Sequence, residues 1–293
     1  MKKVLIIGGN SFTGKHLSSY LHNHGYDIYE TSLVPNNQKQ TYVCNILHKD
    51  EILKILKIVK PDFIIHMAAI AFVGHGKNEN FYNINTIGAL NLLESVVELK
   101  QSLQKLILVS SATVYGNQHV EVLDESLCPR PMNHYGASKY AMESLAKNYF
   151  EKLPLIIVRP FNYTGIGQKK DFLIPKIVTH FKNKRTKIEL GNLNVYREFN
   201  DIDFVCEIYT KLLESNISGE IFNIASNRGI KILDVIEIMQ EIAGYKIEIV
   251  INSAFIRKDE IKTLTGSNKK LFEAIGHVKQ KPFYDTLKEM FEA

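Results

Sequence analysis

The chain has 293 residues, 45% of them hydrophobic and 23% charged, with a formal net charge of +5. That is enough apolar content for one large α/β unit or one and a half domains, and no stretch is biased enough for disorder. The excess of 36 basic over 31 acidic residues is scattered, without the basic block that tracks a nucleic-acid backbone.

Cys44, Cys128 and Cys206 are odd in number and far apart, which excludes a disulfide framework or a zinc knuckle and makes them reduced packing residues. The ten histidines form no His-Glu-x-x-His pattern, so no metal is expected. Met1-Lys2-Lys3 followed by Val4–Ile7 imitates a signal peptide, but the apolar run ends at Gly8-Gly9. No other run approaches the roughly 18 apolar residues of a membrane span. A soluble, cytoplasmic protein is the expectation.

Over the first 160 residues, short β-branched runs alternate with amphipathic stretches. Val4–Ile7, Ile28–Thr31, Phe63–His66, Leu106–Ser110 and Leu155–Arg159 read as strands. Lys15–His24, Asp50–Lys57, Asn80–Leu99 and Tyr135–Phe150 read as helices. The strands are apolar without alternation, as in a parallel sheet covered on both faces. After Arg159-Pro160 the rhythm breaks, and residues 165–197 are loop-rich, punctuated by Gly165, Gly167, Pro175 and Gly191. A helix at Asp203–Leu213, a strand at Ile221–Ala225 and helices near 231–243 and 283–291 follow. The expected architecture is α/β: a Rossmann-type doubly wound parallel sheet over 1–165 plus about 198–226. A smaller C-terminal substrate lobe takes about 166–197 plus 227–293.

Gly8-Gly9-Asn10-Ser11-Phe12-Thr13-Gly14 lies between the first strand and the first helix. Gly8 permits a tight turn, and Gly14 lets the helix approach the strand. The helix beginning near Phe12–Thr13 then aims its free N–H groups at a pyrophosphate. Ser11 stands where a glycine is usual; it is small enough to preserve access, and its hydroxyl can add a hydrogen bond. At the end of the second strand an acid would grip the ribose hydroxyls and repel a 2′-phosphate. Ser32 takes that position and is neutral, so NADPH is favoured over NAD(H), with Glu30 one pleat repeat away as a complication.

Tyr135-Gly136-Ala137-Ser138-Lys139 opens a helix and places a phenol and an ammonium on one face, four residues apart. The ammonium is expected to lower the phenol pKa from about 10 toward working pH, as carbonyl–alcohol redox chemistry requires. A second Tyr-x-x-x-Lys, Tyr284 to Lys288, lacks an upstream strand ending in hydroxyl residues. Tyr135 has one: Leu106–Val109 runs into Ser110-Ser111-Ala112-Thr113, putting Ser111 24 residues before Tyr135. Ser111 is expected to hydrogen-bond the reacting oxygen, with Thr113 as substitute.

With these residues placed, the chain resembles the extended short-chain dehydrogenases/reductases of the nucleotide-sugar epimerase, dehydratase and reductase group. The matching segments are Gly8–Gly14, His66-Met67-Ala68-Ala69, Asn85 through Gly88 to Asn91, Ser110–Gly116, Tyr135–Lys139 and Arg159-Pro160-Phe161-Asn162. The resemblance implies that Asn45-Ile46 lie at the adenine, that Ala68-Ala69 and Asn85 line the cofactor, and that Asn162 meets the sugar or diphosphate. It also implies that Arg197, and more loosely Arg257, pair with the substrate diphosphate, to which a guanidinium fork is suited. Asn45 and Glu198 each stand where the family usually has aspartate. Family members form homodimers through a four-helix contact, for which Leu92, Leu93, Val96, Met142 and Leu145 are candidates, although the same stripe suits the sheet.

Dehydration at C5–C6 requires an acidic pair where this chain has Ala112 and Thr113, which disfavours a 4,6-dehydratase. The resemblance of Phe161–Gly165 and Leu190–Leu193 to GDP-4-keto-6-deoxymannose reductases favours reduction of a nucleotide-linked 4-keto-6-deoxyhexose in deoxysugar synthesis, GDP before dTDP. An NAD-dependent nucleotide-sugar 4-epimerase is the alternative, which Ser-Ala-Thr-Val-Tyr-Gly at 111–116 also suits. A dinucleotide-binding sensor or scaffold of this fold is the non-enzymatic alternative; such proteins usually lack the tyrosine or the lysine.

Overall fold

The computed structural model describes residues 1–35, 39–71, 77–100, 102–256 and 261–293. In chain order its elements are β1 (Lys3–Ile7), α1 (Phe12–Asn23), β2 (Asp27–Ser32), β3 (Thr41–Val43), α2 (Lys49–Val59), β4 (Phe63–His66), α3 (Glu79–Tyr82), α4 (Gly88–Glu98) and β5 (Lys105–Val109). Next come α5 (His134–Ala146), β6 (Leu155–Pro160), β7 (Tyr163–Thr164), α6 (Leu173–Lys182), β8 (Lys187–Leu190), β9 (Tyr196–Arg197), β10 (Asn200–Asp201) and α7 (Ile202–Glu214). The chain ends with β11 (Glu220–Ile224), β12 (Ile230–Lys231), α8 (Ile232–Ala243), β13 (Glu248–Ile251), β14 (Thr263–Leu264), α9 (Lys269–Ile275) and α10 (Phe283–Glu292).

Seven strands form one parallel sheet in the order β11-β6-β5-β4-β1-β2-β3. Successive side chains point to opposite faces, and both faces are covered. Val4, Ile6, Phe63, Ile65, Ile107, Ile156 and Val158 pack beneath α1 and α7. Leu5, Ile7, Ile64, Leu106, Leu108, Leu155 and Ile157 pack beneath α2, α4 and α5. This two-sided burial explains why the strands read as unbroken apolar runs. The chain moves outward from β1 through β2 to β3, then returns to β4 on the other side of β1. The C-terminal ends of β1 and β4 therefore flank the crevice where open α/β sheets bind ligands.

A separate apolar cluster joins α6, α8, α10 and β8 through Ile177, Phe181, Ile188, Val235, Ile236 and Leu287. Its helix α6 lies in the stretch expected to be loop-rich. Pro175 is in the first turn of that helix, where a missing N–H costs nothing, and Ile174, Ile177, Val178 and Phe181 give the apolar period.

The expected single helix Asn80–Leu99 is instead α3, a π-helical turn at Asn83–Ile87, and α4. Such turns insert one extra residue into a helix and recur at functional sites. Leu92, Leu93, Val96 and Met142 are each at most 1% exposed and face the sheet. They are core residues, which removes them from the dimer stripe. Cys44 and Cys206 are buried, whereas Cys128 is exposed and packs in no core.

Candidate active site

The glycine loop joins β1 to α1 at the crevice. Gly8 has φ +89°, and a Cβ there would sit 2.8 Å from the Cα and N of Ala68, just past β4. Only glycine allows the two strand ends to come this close. A Cβ on Gly14 would collide with the Gly9 carbonyl, so α1 packs directly onto the turn. These are features of a cradle that accepts a pyrophosphate at a helix N-terminus, and the loop fits a nicotinamide dinucleotide.

Two details differ from expectation. Ser11 caps α1, its Oγ accepting the Gly14 N–H at 3.0 Å and donating to the Met67 Sδ at 3.7 Å. Ser32 is 6% exposed, and its Oγ accepts the Val34 N–H at 3.2 Å. The acid nearer the loop is Glu30, whose side chain lies against Gly9 and is held by the Ser18 hydroxyl. The neutrality of Ser32 thus does not describe the charge of this corner.

Several expected cofactor residues serve as scaffold here. Asn45 closes an Asx turn, its Oδ1 accepting the Leu47 N–H at 3.1 Å. Ile46 is buried against Gly88, and its carbonyl accepts from Asn91 Nδ2 at 3.0 Å. Asn85, fully buried in the π-helical turn, accepts the Ile70 N–H at 2.9 Å and donates to the Ile70 carbonyl and the Ser138 hydroxyl. It fastens the Ala68-Ala69-Ile70 segment to α5. Thr13 is tied to Tyr163 by a 2.7 Å hydroxyl–hydroxyl bond, and the rings of Phe12 and Tyr163 are stacked. Tyr163 is a residue the sequence reading missed; its place after Asn162 in the Phe161–Gly165 run was the available signal.

Helix α5 begins at Asn133, whose Oδ1 accepts the Gly136 N–H at 2.8 Å, so the cap fixes where Tyr135 stands. Past β5, Ser111 caps a 3₁₀ turn over Ala112–Tyr115. Its Oγ accepts from the Thr113 N–H at 3.2 Å and the Thr113 hydroxyl at 2.9 Å. The Ser111 hydroxyl lies close enough to the Tyr135 phenol to oppose the rise that burial gives its pKa. Lys139, 2% exposed, donates to the Val109 carbonyl at 2.7 Å. The structure thus gathers Ser111, Thr113, Tyr135 and Lys139 at the C-terminal end of β5.

The expected lowering of the phenol pKa is not found. Burial pushes Tyr135 up to about 12, against the opposing effect of the Ser111 hydrogen bond. Lys139 is itself driven down to about 8 by burial, with the Glu143 charge opposing. Desolvation is the largest effect on both groups. His66, at the end of β4, is 1% exposed, and neither ring nitrogen has a partner among the described residues. Burial and then the Lys139 charge bring it down to about 3, so it is neutral.

On the substrate side, the Asn162 carbonyl accepts the Asn200 N–H at 2.9 Å. Arg197 on β9 donates to the Tyr196 and Lys262 carbonyls at 2.8 and 3.3 Å. Arg257 lies outside the described residues. Glu198 is fully buried and accepts from the backbone N–H groups of Ser226, Asn227 and Gly266 and from the Asn200 and Ser226 side chains. Its extra methylene over aspartate carries the carboxylate to three separate segments. Burial raises its pKa while those hydrogen bonds oppose the rise. A surface groove of about 540 Å³ between α6 and β8 contains none of the expected site residues.

A glycine turn at the switch point of a parallel sheet, with a Tyr-x-x-x-Lys helix beside a strand-end serine, defines an enzyme of the extended short-chain dehydrogenase/reductase type. Residues 4–225 match the NAD dependent epimerase/dehydratase family, and the chain belongs to it. It is 36% identical over 276 residues, 94% of this chain and 92% of the relative, to the GDP-6-deoxy-D-talose 4-dehydrogenase of Aggregatibacter actinomycetemcomitans. It is 29% identical over 94% of its length, and 91% of the relative's, to the GDP-6-deoxy-D-mannose reductase of Pseudomonas aeruginosa. The solved structure of RMD from P. aeruginosa complexed with NADPH superposes with a TM-score of 0.86 at 26% identity, covering all of this chain and 98% of that one.

Proposed function

We propose that the chain interconverts a ketone and an alcohol at C4 of a GDP-linked 6-deoxyhexose, using a nicotinamide dinucleotide held by the Gly8–Gly14 loop. The observation that carries this reading is the gathering of Ser111, Tyr135 and the buried Lys139, which donates to the Val109 carbonyl, at the end of β5. The GDP-sugar relatives supply the substrate class. Their names describe alcohols that differ in configuration at C4, so both fit one 4-keto sugar approached from opposite faces. The greater identity to the talose relative favours the talo configuration.

The dinucleotide, when bound, supplies or accepts the hydride. The chain's part is proton transfer. A phenol at about 12 is protonated at neutral pH, which suits donation from Tyr135 Oη to the sugar O4 in the reductive direction. Ser111 and Thr113 form the hydroxyl relay that orients the phenol, and Lys139 places a positive charge on the same face of α5. Arg197 and Asn162 are assigned to the substrate diphosphate, with Arg257 from the undescribed stretch as a second arginine. The assembly is assigned as a cytoplasmic homodimer whose contact uses the outer face of α4 and α5, where Ile87, Val97 and Leu145 retain exposure.

The test is incubation with GDP-4-keto-6-deoxymannose and either NADPH or NADH, following the absorbance of the reduced nicotinamide and assigning the product at C4 by NMR. Stoichiometric oxidation of the dinucleotide is expected. No oxidation, together with NAD retained through purification and interconversion of UDP-sugar C4 epimers, would replace this reading by 4-epimerisation, which the Ser111–Gly116 segment also suits.

A further inference from the structure

Beneath the proton machinery lies a sealed charged cluster that takes no part in the reaction as proposed. Glu143, Arg159 and Ser110 are 0, 2 and 3% exposed. Glu143 Oε1 accepts from Ser110 Oγ at 2.5 Å and from Arg159 Nε at 2.9 Å, while Oε2 accepts from Arg159 Nη2 at 2.6 Å. The three residues come from α5, the end of β5 and β6. A buried ion pair seldom stabilises a fold more than apolar residues of the same volume do, so its presence calls for another reason. Glu143 follows Lys139 by four residues, one helical turn along the same face of α5.

We propose that Glu143 is a positioning residue for Lys139: with Ser110 and Arg159 it locks α5 against the strand ends and sets a carboxylate one helical turn from the ammonium. The catalytic consequence rests on the reading of Lys139 given above; the ionisation itself does not. Among the described residues, the other groups around Lys139 offer no second anion. On its own helix Tyr135 is a neutral phenol. On β4 His66 is neutral. The end of β5 presents the Val109 carbonyl and hydroxyl groups. Arg159 on β6 is paired with Glu143 at 2.6 Å and offsets part of its charge.

Lysine labelled with carbon-13 at Cε reports the ionisation of Lys139 by NMR, its resonance being assigned by loss in Lys139→Met. In Glu143→Gln the Lys139 midpoint is expected to fall by about one unit, and the alkaline limb of the pH–rate profile should move down with it. Should Glu143→Gln fail to fold, Glu143→Gln/Arg159→Met replaces the pair by neutral groups, a change that folds tolerate, and should show a smaller shift in the same direction, because the Arg159 charge that offsets Glu143 is removed with it. An unmoved Lys139 midpoint in the folded double variant overturns the proposal, as does a rate loss equal at every pH. A shifted midpoint in a protein that turns over no 4-keto sugar supports this inference and counts against the substrate assignment alone.

Discussion

Lys139→Met separates stability from activity at one residue. Burial holds the wild-type ammonium at about 8 instead of its ordinary 10.5, a displacement that costs about 3 kcal/mol at roughly 1.4 kcal/mol per unit. Below pH 8 the lysine is protonated in both folded and unfolded chains, and the full penalty applies. Between about 8 and 10.5 the folded chain releases its proton before the unfolded one, so stability rises with pH. Above 10.5 the penalty is gone. Methionine fills a similar volume without a charge but leaves the Val109 carbonyl without its 2.7 Å donor, a loss of about 1 kcal/mol. The variant should therefore be more stable than wild type by about 2 kcal/mol at neutral pH. That advantage should shrink through the alkaline window and reverse slightly beyond it, while turnover is lost. Denaturant unfolding of both proteins across that range is the assay. A variant less stable than wild type at neutral pH, or a gap that does not change with pH, refutes the reasoning.

Tyr135→Phe should lower turnover roughly 10²–10⁴-fold and leave dinucleotide affinity intact, measured by nicotinamide fluorescence; a sensor of this fold would keep its output. Gly8→Ala must accept both φ +89° and a Cβ 2.8 Å from Ala68 backbone atoms. It should lose about 2–4 kcal/mol of stability and bind the dinucleotide more weakly, as denaturation and fluorescence titration will show. Glu198→Gln turns an amide toward backbone N–H groups that now donate to a carboxylate. It should cost about 2–3 kcal/mol by denaturant unfolding, and an unchanged midpoint would mean those three segments do not depend on the carboxylate.

Much of the sheet was legible because its chemistry is local. Six strands of the seven were expected from runs too short for helices, and two-sided burial produces that pattern. The turn at Gly8 was legible because glycine is required where φ is positive and a neighbouring chain passes close. What could not be read depends on side-chain direction. A stripe such as Leu92, Leu93 and Val96 serves a core or an interface equally well, and only the packing of α4 on the sheet decides. Helix α6 was hidden because Pro175 reads as a breaker unless its first-turn position is known. Ser11 and Ser32 were assigned by residue type to ligand roles, and each hydroxyl also accepts a backbone N–H within three residues. Short-range partners compete first for short polar side chains.

The phenol pKa shows the same limit in a more consequential form. Spacing placed an ammonium beside Tyr135, and charge proximity alone predicts an acidified phenol. The structure adds that both groups are buried and that the ammonium is bound to Val109, and desolvation raises the phenol and lowers the ammonium. A phenol kept protonated needs no base to prepare it as a proton donor, whereas oxidation of an alcohol must first remove that proton. A protonated phenol is the state that the proposed reductive reading uses. The charge that moves the balance comes from Glu143, a residue whose importance no motif announces, because it lies one turn beyond the motif and below the surface of the cleft.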